Sequence, residues 1–299
     1  MIRELSILIP TFNQICTPLV ESLASQASQT EGLDYEIIVA DDGSTLPDSM
    51  KANERINTIE HCRYIIRPQN EGRAAIRNIL AQTACHEWLL FLDSDVTITH
   101  ADFLRTYLNT KDGAKVIYGG IAIGGETGQW NSNLRYRYEK SCEANHVASH
   151  RSQHPYLSFR TTNFLVQRDV MLTYPFDSHI KSYGYEDVLF GKELQRQDIR
   201  ILHLDNQATY LDYEGNEEFV NKTEESMRTL SAFANQLEGY SRLLAFAEKI
   251  RALHLSAIVR CIFNSMKTLW RRNLCGKTPS LLIFKLYKTG YFISIHRYR

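Results

Sequence analysis

Four short apolar runs limit the fold more than any other feature of this chain: LSILIP, YEIIVADDGS, CRYIIRP and EWLLFLDSD. Each is rich in Ile, Leu and Val, and each closes on polar or turn-forming residues, as strands buried on both faces do. LVESLASQA, between the first and second, has helical spacing. So does GRAAIRNILAQTA, between the third and fourth, with Ala75, Ile79 and Ala81 among its apolar positions. Strands alternating with helices predict an α/β fold: a mainly parallel, Rossmann-like sheet with helices on both faces. Ligands of such sheets bind outside the carboxyl ends of the strands. The most polar residues fall at three of those ends: Pro10 to Asn13, Asp41 to Ser44, and Asp93 to Asp95.

Beyond Lys115 the pattern loosens. KVIYGGIAIGG reads as one strand, YLSFRTTNFLVQRDVM as two extended pieces, and IRILHL as a short strand. YGYEDVLFGKELQRQ reads as a glycine-bearing loop that turns into a helix. From Asn216 helical spacing dominates. The 299 residues, 43% hydrophobic, suffice for one large domain with an appendage. A boundary is expected near Gly239, giving a domain over 1–239, with halves of about 1–120 and 121–239, and a helical extension over 240–299.

Charge supports that boundary. Residues 240–299 carry 12 Lys+Arg against the single acidic Glu248, whereas residues 1–239 carry 22 basic and 33 acidic residues. A basic extension on an acidic body points to an anionic partner. In the extension Arg260, Lys267, Arg271, Arg272, Lys277, Lys285 and Lys288 interrupt every apolar run, which predicts an interfacial helix rather than a membrane span. Packing on the acidic body or a dimer contact are the other readings, and no recognition motif accompanies the charge to suggest nucleic acid. The six cysteines include no CxxC pair, and no secretory apolar core opens the chain. A cytosolic protein, or one attached to a membrane from the cytosolic side, is expected.

Asp93 and Asp95 stand one residue apart, so on an extended chain their side chains share a side. Two such carboxylates repel unless a positive charge lies between them. A strand-ending turn would explain them, and so would a hard divalent cation with oxygen ligands that also holds phosphates. The first strand is not followed by GxGxxG, and GxxxxGK[ST] is absent, which disfavours dinucleotide-binding and P-loop readings.

SILIPTFN, IIVADDGS, NEGRAAIRN and FLDSD occur in that order, followed by FDSHIKSYGYEDVLFGKEL. Together they resemble the family-two glycosyltransferases of the GT-A fold, over roughly Ile2 to Leu230. The resemblance implies an inverting, metal-dependent transfer from a nucleotide-sugar, most simply a UDP-sugar. The acceptor would be a saccharide or lipid-linked saccharide hydroxyl in cell-surface glycan synthesis. It places Pro10, Thr11 and Asn13 along base and ribose, and Asp42 on the base. Arg73 and Arg77, one helical turn apart, would bind base or phosphate. Asp93, Ser94 and Asp95 match the DxD motif, with Asp95 and Asp93 at Mg2+ or Mn2+. Asn163 would line the donor sugar, and Asp187 would be the general base, with Glu186 beside it.

One departure stands out. Relatives often carry a metal-completing histidine where this chain has Tyr210, a poor ligand at neutral pH. His203, seven residues earlier, reads as an ordinary half-buried histidine. That substitution leaves open a catalytically inactive nucleotide-sugar-binding or scaffold protein of the same fold. A nucleotidyltransferase would need a glycine- and arginine-rich loop after the first strand, and PTFNQICTP is not one.

Overall fold

The computed structural model describes residues 2–296; Met1 and residues 297–299, the last of the basic extension, lie outside the described part. The chain divides into two compact units. The first comprises Met1–Gly124, Ala144–Lys181 and Glu186–Leu211, and the second Gly125–Glu143, Ser182–Tyr185 and Asp212–Arg299. The division therefore does not fall at Gly239. Phe219 and Val220 of the helix Asn216–Ala232 pack with Phe263, Phe284 and Tyr287 of the C-terminal helices, so that helix joins the extension.

The four apolar runs form β1 (Glu4–Thr11), β2 (Asp34–Asp41), β3 (Cys62–Ile66) and β4 (Trp88–Leu92). They lie side by side in the order β3-β2-β1-β4, all parallel. Leu5, Ile7, Leu8, Ile9, Ile37, Ile38 and Val39 are wholly buried, as are Leu89 to Leu92, which is why these strands read as unbroken apolar runs. The helix Arg73–Thr83 covers one face through Ala74, Ile76 and Leu80.

The later strands are β5 (Val116–Tyr118), β6 (Ile121–Ile123), β7 (Asn163–Gln167), β8 (Ile201–His203) and β9 (Ala208–Tyr210). They extend the main sheet to β3-β2-β1-β4-β7-β5-β8, with β7 antiparallel to both neighbours, while β6 and β9 form a separate parallel pair. The mainly parallel sheet is thus as expected, with one reversed strand. KVIYGGIAIGG divides into β5 and β6 because Gly120 takes φ +87°, a left-handed turn that breaks the ladder. YLSFRTTNFLVQRDVM supplies one strand, β7, and Arg168–Thr173 continues as a helix.

The register sets the ends level. Thr11 pairs with Asp41 across β1 and β2, and Leu92 with Asn163 across β4 and β7. The residues that follow β1, β2 and β4 therefore emerge at one edge of the sheet.

Candidate active site

Asp41 and Asp42 close β2 and serve the backbone around them. Asp41 accepts from Ser44 N at 2.7 Å and from the Tyr64 hydroxyl. The buried Asp42 carboxylate accepts from Glu71 N (3.1 Å) and Gly72 N (2.9 Å), so it holds the loop that leads into the Arg73–Thr83 helix. Burial pushes Asp42 up, against those two amides and Arg67, which pull it down. Gly72 is needed there. Its φ is +93°, and an added Cβ would lie 2.9 Å from the Lys181 carbonyl oxygen.

At the end of β1, Pro10 and Thr11 pair in register with Ala40 and Asp41. Asn13 sits at φ 54° and ties this loop to the next: its Oδ1 accepts from Thr45 N (2.7 Å) and Leu46 N (3.0 Å), and its own amide donates to Ser44 Oγ (2.7 Å). Asn13 thus aligns two of the expected donor-binding loops.

Arg73 and Arg77 lie on one side of their helix but at different depths. Arg73 is exposed, whereas Arg77 is 1% exposed. Arg77 Nη2 donates to Asp93 Oδ1 at 2.5 Å, and Nη1 lies 3.8 Å from Glu186 Oε1. A side chain so enclosed does not present a cation to a ligand as expected from the sequence; it links two acidic groups. Burial raises the Asp93 carboxyl, but the Arg77 and Arg73 charges and hydrogen bonds from Arg77 and Thr162 hold it below the usual range.

Asp93, Ser94 and Asp95 follow β4 as a half-buried turn. The turn is pinned at both ends: Asp93 N donates to Thr162 O at 3.0 Å, and Thr97 exchanges two backbone bonds with Thr209 at 2.8 and 2.9 Å. Glu186 and Asp187 open the helix Glu186–Arg196. Glu186 is buried, and Asp187 Oδ1 accepts from Val188 N at 2.8 Å. Burial and the Glu186 charge push the Asp187 carboxyl up to about 7, against the lowering influence of Arg160 and Arg77. A carboxyl poised there is suited to general-base work near neutrality.

Asn163 does not line an open site. Its side chain is wholly buried at the start of β7, donating to Gly120 O (2.9 Å) and Asn206 O (2.7 Å) and accepting from the Tyr107 hydroxyl (2.7 Å). A buried amide must satisfy its polar atoms internally, and this one does so by joining β7 to the loop after β5. Its neighbours Thr162 and Arg160 are the ones that act on Asp93 and Asp187. The segment FRTTNF carried that signal, one and three residues before the position read from it.

His203 is neutral and engaged. Its Nδ1 accepts from Arg151 Nη1 at 2.9 Å, its Nε2 donates to Pro155 O at 3.0 Å, and burial with the Arg151 charge pushes it down to about 4. Tyr210 is buried in β9 with its hydroxyl 3.3 Å from Thr162 Oγ1. Glu36, Cys85 and His86 also cluster, at the opposite ends of the strands. There Glu36 is occupied by Ser6, Cys85 N and Arg63.

A family model described as glycosyl transferase family 2 matches residues 6–175. Among curated proteins, an uncharacterized glycosyltransferase of Haemophilus influenzae is 34% identical over 105 residues, 35% of this chain and 41% of that one. A poly(ribitol-phosphate) beta-glucosyltransferase of Bacillus spizizenii is 35% identical over 112 residues, 36% of this chain and 17% of that one. The chain thus spans less than half the length of these relatives. Among solved structures, S. aureus TarS 1–349 superposes with a TM-score of 0.53 at 17% identity, over 97% of this chain and 90% of that one. The mannosyltransferase PcManGT of Pyrobaculum calidifontis, solved with GDP-Man and Mn2+, gives 0.56 at 11% identity, over 97% and 84%. The match of the family model over more than half of the sequence, on a GT-A-like sheet, shows that the chain belongs to glycosyl transferase family 2.

Proposed function

We propose that this glycosyltransferase moves a hexosyl or N-acetylhexosaminyl group from a UDP-sugar to a saccharide or lipid-linked saccharide hydroxyl. The transfer is metal-dependent, inverts the anomeric centre, and serves cell-surface glycan synthesis. The observation that carries this reading is the buried Arg77, which ion-pairs with Asp93 of the DxD turn and faces Glu186 of the Glu186-Asp187 pair. One cation thereby ties the donor motif to the expected base. The nucleotides in solved structures of the same fold agree: TarS was solved with UDP and with UDP-GlcNAc.

Asp93 and Asp95 offer hard carboxylate oxygens at a half-exposed turn, which suits Mg2+ or Mn2+. Since Arg77 already neutralises Asp93, Asp95 would hold the cation, with Asp93 and Ser94 beside it. Bound there, the metal would neutralise charge on the diphosphate. Asp42, Asn13 and Arg73 frame the nucleotide. Asp187 takes the proton of the acceptor hydroxyl, and the acceptor oxygen bonds the anomeric carbon as the bond to the diphosphate breaks on the opposite face.

The test is transfer and donor hydrolysis with UDP-, GDP- and dTDP-sugars, with and without Mn2+, alongside Asp95→Asn. Metal-dependent turnover that this substitution removes is expected. If Asp95→Asn binds UDP and Mn2+ as tightly as wild type, the metal assignment fails. If every donor gives no turnover while UDP still binds, the protein is a scaffold of this fold.

The reading extends to a membrane. No helix among the described residues is long and apolar enough to cross one. The Ser256–Leu274 helix instead exposes Ile258, Ile262 and Leu269, and Leu255 precedes it in the same stripe. Peripheral attachment there would bring the enzyme to a lipid-linked acceptor.

A further inference from the structure

A cavity of about 590 Å³ in the second unit is lined by Lys267, Arg271 and Arg272 of the Ser256–Leu274 helix, by Tyr291 and Ser294 of the Leu281–Ile295 helix, and by Glu217. These three cations are not equivalent. Arg271 is already satisfied: it donates to Glu224 at 2.6 Å and Asn221 at 2.7 Å, and lies 3.6 Å from Glu217. Lys267 and Arg272 have no carboxylate within ion-pairing distance among the described residues. The end of a helix favours cations, which accounts for Arg271 and Arg272 in the last turn. Lys267 lies above that turn, four residues before Arg271, where a like charge destabilises the helix. An anion in the cavity would remove that conflict.

The remaining lining fits a phosphate. Tyr291 accepts a hydrogen bond from Arg228 Nη1 at 2.6 Å, which leaves its own proton to donate. Thr268 adds a hydroxyl to the lining, whereas the Ser294 hydroxyl already donates to Tyr291 O at 2.7 Å. Lys and Arg together with hydroxyl donors form the charge-assisted set that holds phosphate oxygens. The cavity is larger than one phosphate, and the Phe263 and Tyr287 rings wall it, so an organic group attached to the phosphate is accommodated. We propose that this cavity is a binding site for a phosphate or diphosphate group, separate from the nucleotide-sugar site. The group is carried either by a lipid headgroup or by a soluble phosphorylated molecule.

The full chain is titrated calorimetrically with inorganic pyrophosphate in EDTA, which keeps divalent metal from the DxD turn. Wild type is expected to bind, and Lys267→Ala/Arg272→Ala to bind at least tenfold more weakly. Both residues are exposed at the cavity mouth, so this variant should melt at the wild-type temperature. Lys267→Arg/Arg272→Lys should retain binding, and Arg73→Ala, on the donor side, should leave it unchanged. No binding by wild type overturns the proposal, as does equal binding by the double alanine variant. Vesicles of phosphatidic acid and of phosphatidylglycerol at matched charge identify the source. A preference for phosphatidic acid that the double alanine variant loses assigns the site to lipid headgroups. Pyrophosphate binding without that preference assigns it to a soluble ligand.

Discussion

Asp187 holds opposing influences in one carboxyl. Burial and Glu186 raise it to about 7, while Arg160 and Arg77 limit the rise. A base must be deprotonated to act, so kcat/KM should climb with pH through a midpoint near 7. Glu186→Gln removes a charge that raises Asp187, so that limb should move to lower pH. Arg77→Met removes a charge that lowers it, so the limb should move up. Unmoved limbs in both variants would show that Asp187 does not set the profile. Asp187→Asn should keep donor binding and lose ~10²–10⁴-fold in transfer. The shift also has a stability consequence. A carboxyl raised from 3.8 to about 7 destabilises the fold increasingly as pH rises from about 4 to about 7, and by a constant amount above that. Asp187→Asn should therefore gain stability over wild type across that window, read as urea midpoints at pH 4, 6 and 8. Arg77→Met should do the opposite, losing about 3–5 kcal/mol, because it leaves Asp93 and Glu186 without their buried partner.

Among elements, the first four strands were legible because burial on both faces leaves no alternative to an unbroken apolar run, and the turns after them stand out as the only polar breaks. The second half was harder. β5, β6, β8 and β9 have three residues each, too few for a period to show. The depth of Arg77 was not readable either, because helical spacing gives the face of a residue and not what covers it. Asn163 shows the same limit: it directly follows Thr162 in sequence, but its own side chain is wholly buried. Asn163→Ala would take from the Asn206 carbonyl its side-chain donor and would also remove bonds to the Tyr107 hydroxyl and the Gly120 carbonyl. It should lower stability by roughly 1–3 kcal/mol and leave UDP affinity unchanged. A variant of normal stability with weakened UDP binding would return Asn163 to the donor site.

For the whole molecule, the excess of basic residues over 240–299 was plain in sequence, but its arrangement depends on the fold. Along the Ser256–Leu274 helix, Leu255, Ile258, Ile262, Met266 and Leu269 recur at spacings of three and four and form one stripe. Ile258, Ile262 and Leu269 are 55%, 50% and 59% exposed. Arg260, Lys267 and Arg271 point to the opposite side by the same geometry. An apolar stripe backed by a basic side is the pattern of a helix lying in a membrane interface. A second copy is a poor alternative occupant, because no acidic residue occurs from Lys249 to Arg299. Two such surfaces repel, whereas each cation near an anionic bilayer contributes about 1 kcal/mol. Ending the chain at Gly239 would be a flawed test, since it uncovers Phe219 and Val220, which pack on the removed helices. Ile258→Asp/Ile262→Asp in the full chain is cleaner, because both side chains are already half in water. The wild-type chain should pellet with anionic vesicles, less so as salt rises, and the double variant should stay in the supernatant with its melting temperature nearly unchanged. Undiminished pelleting of the double variant would exclude the stripe as the membrane face. Loss of a dimer on substitution, seen by sedimentation velocity, would assign it to a second copy instead.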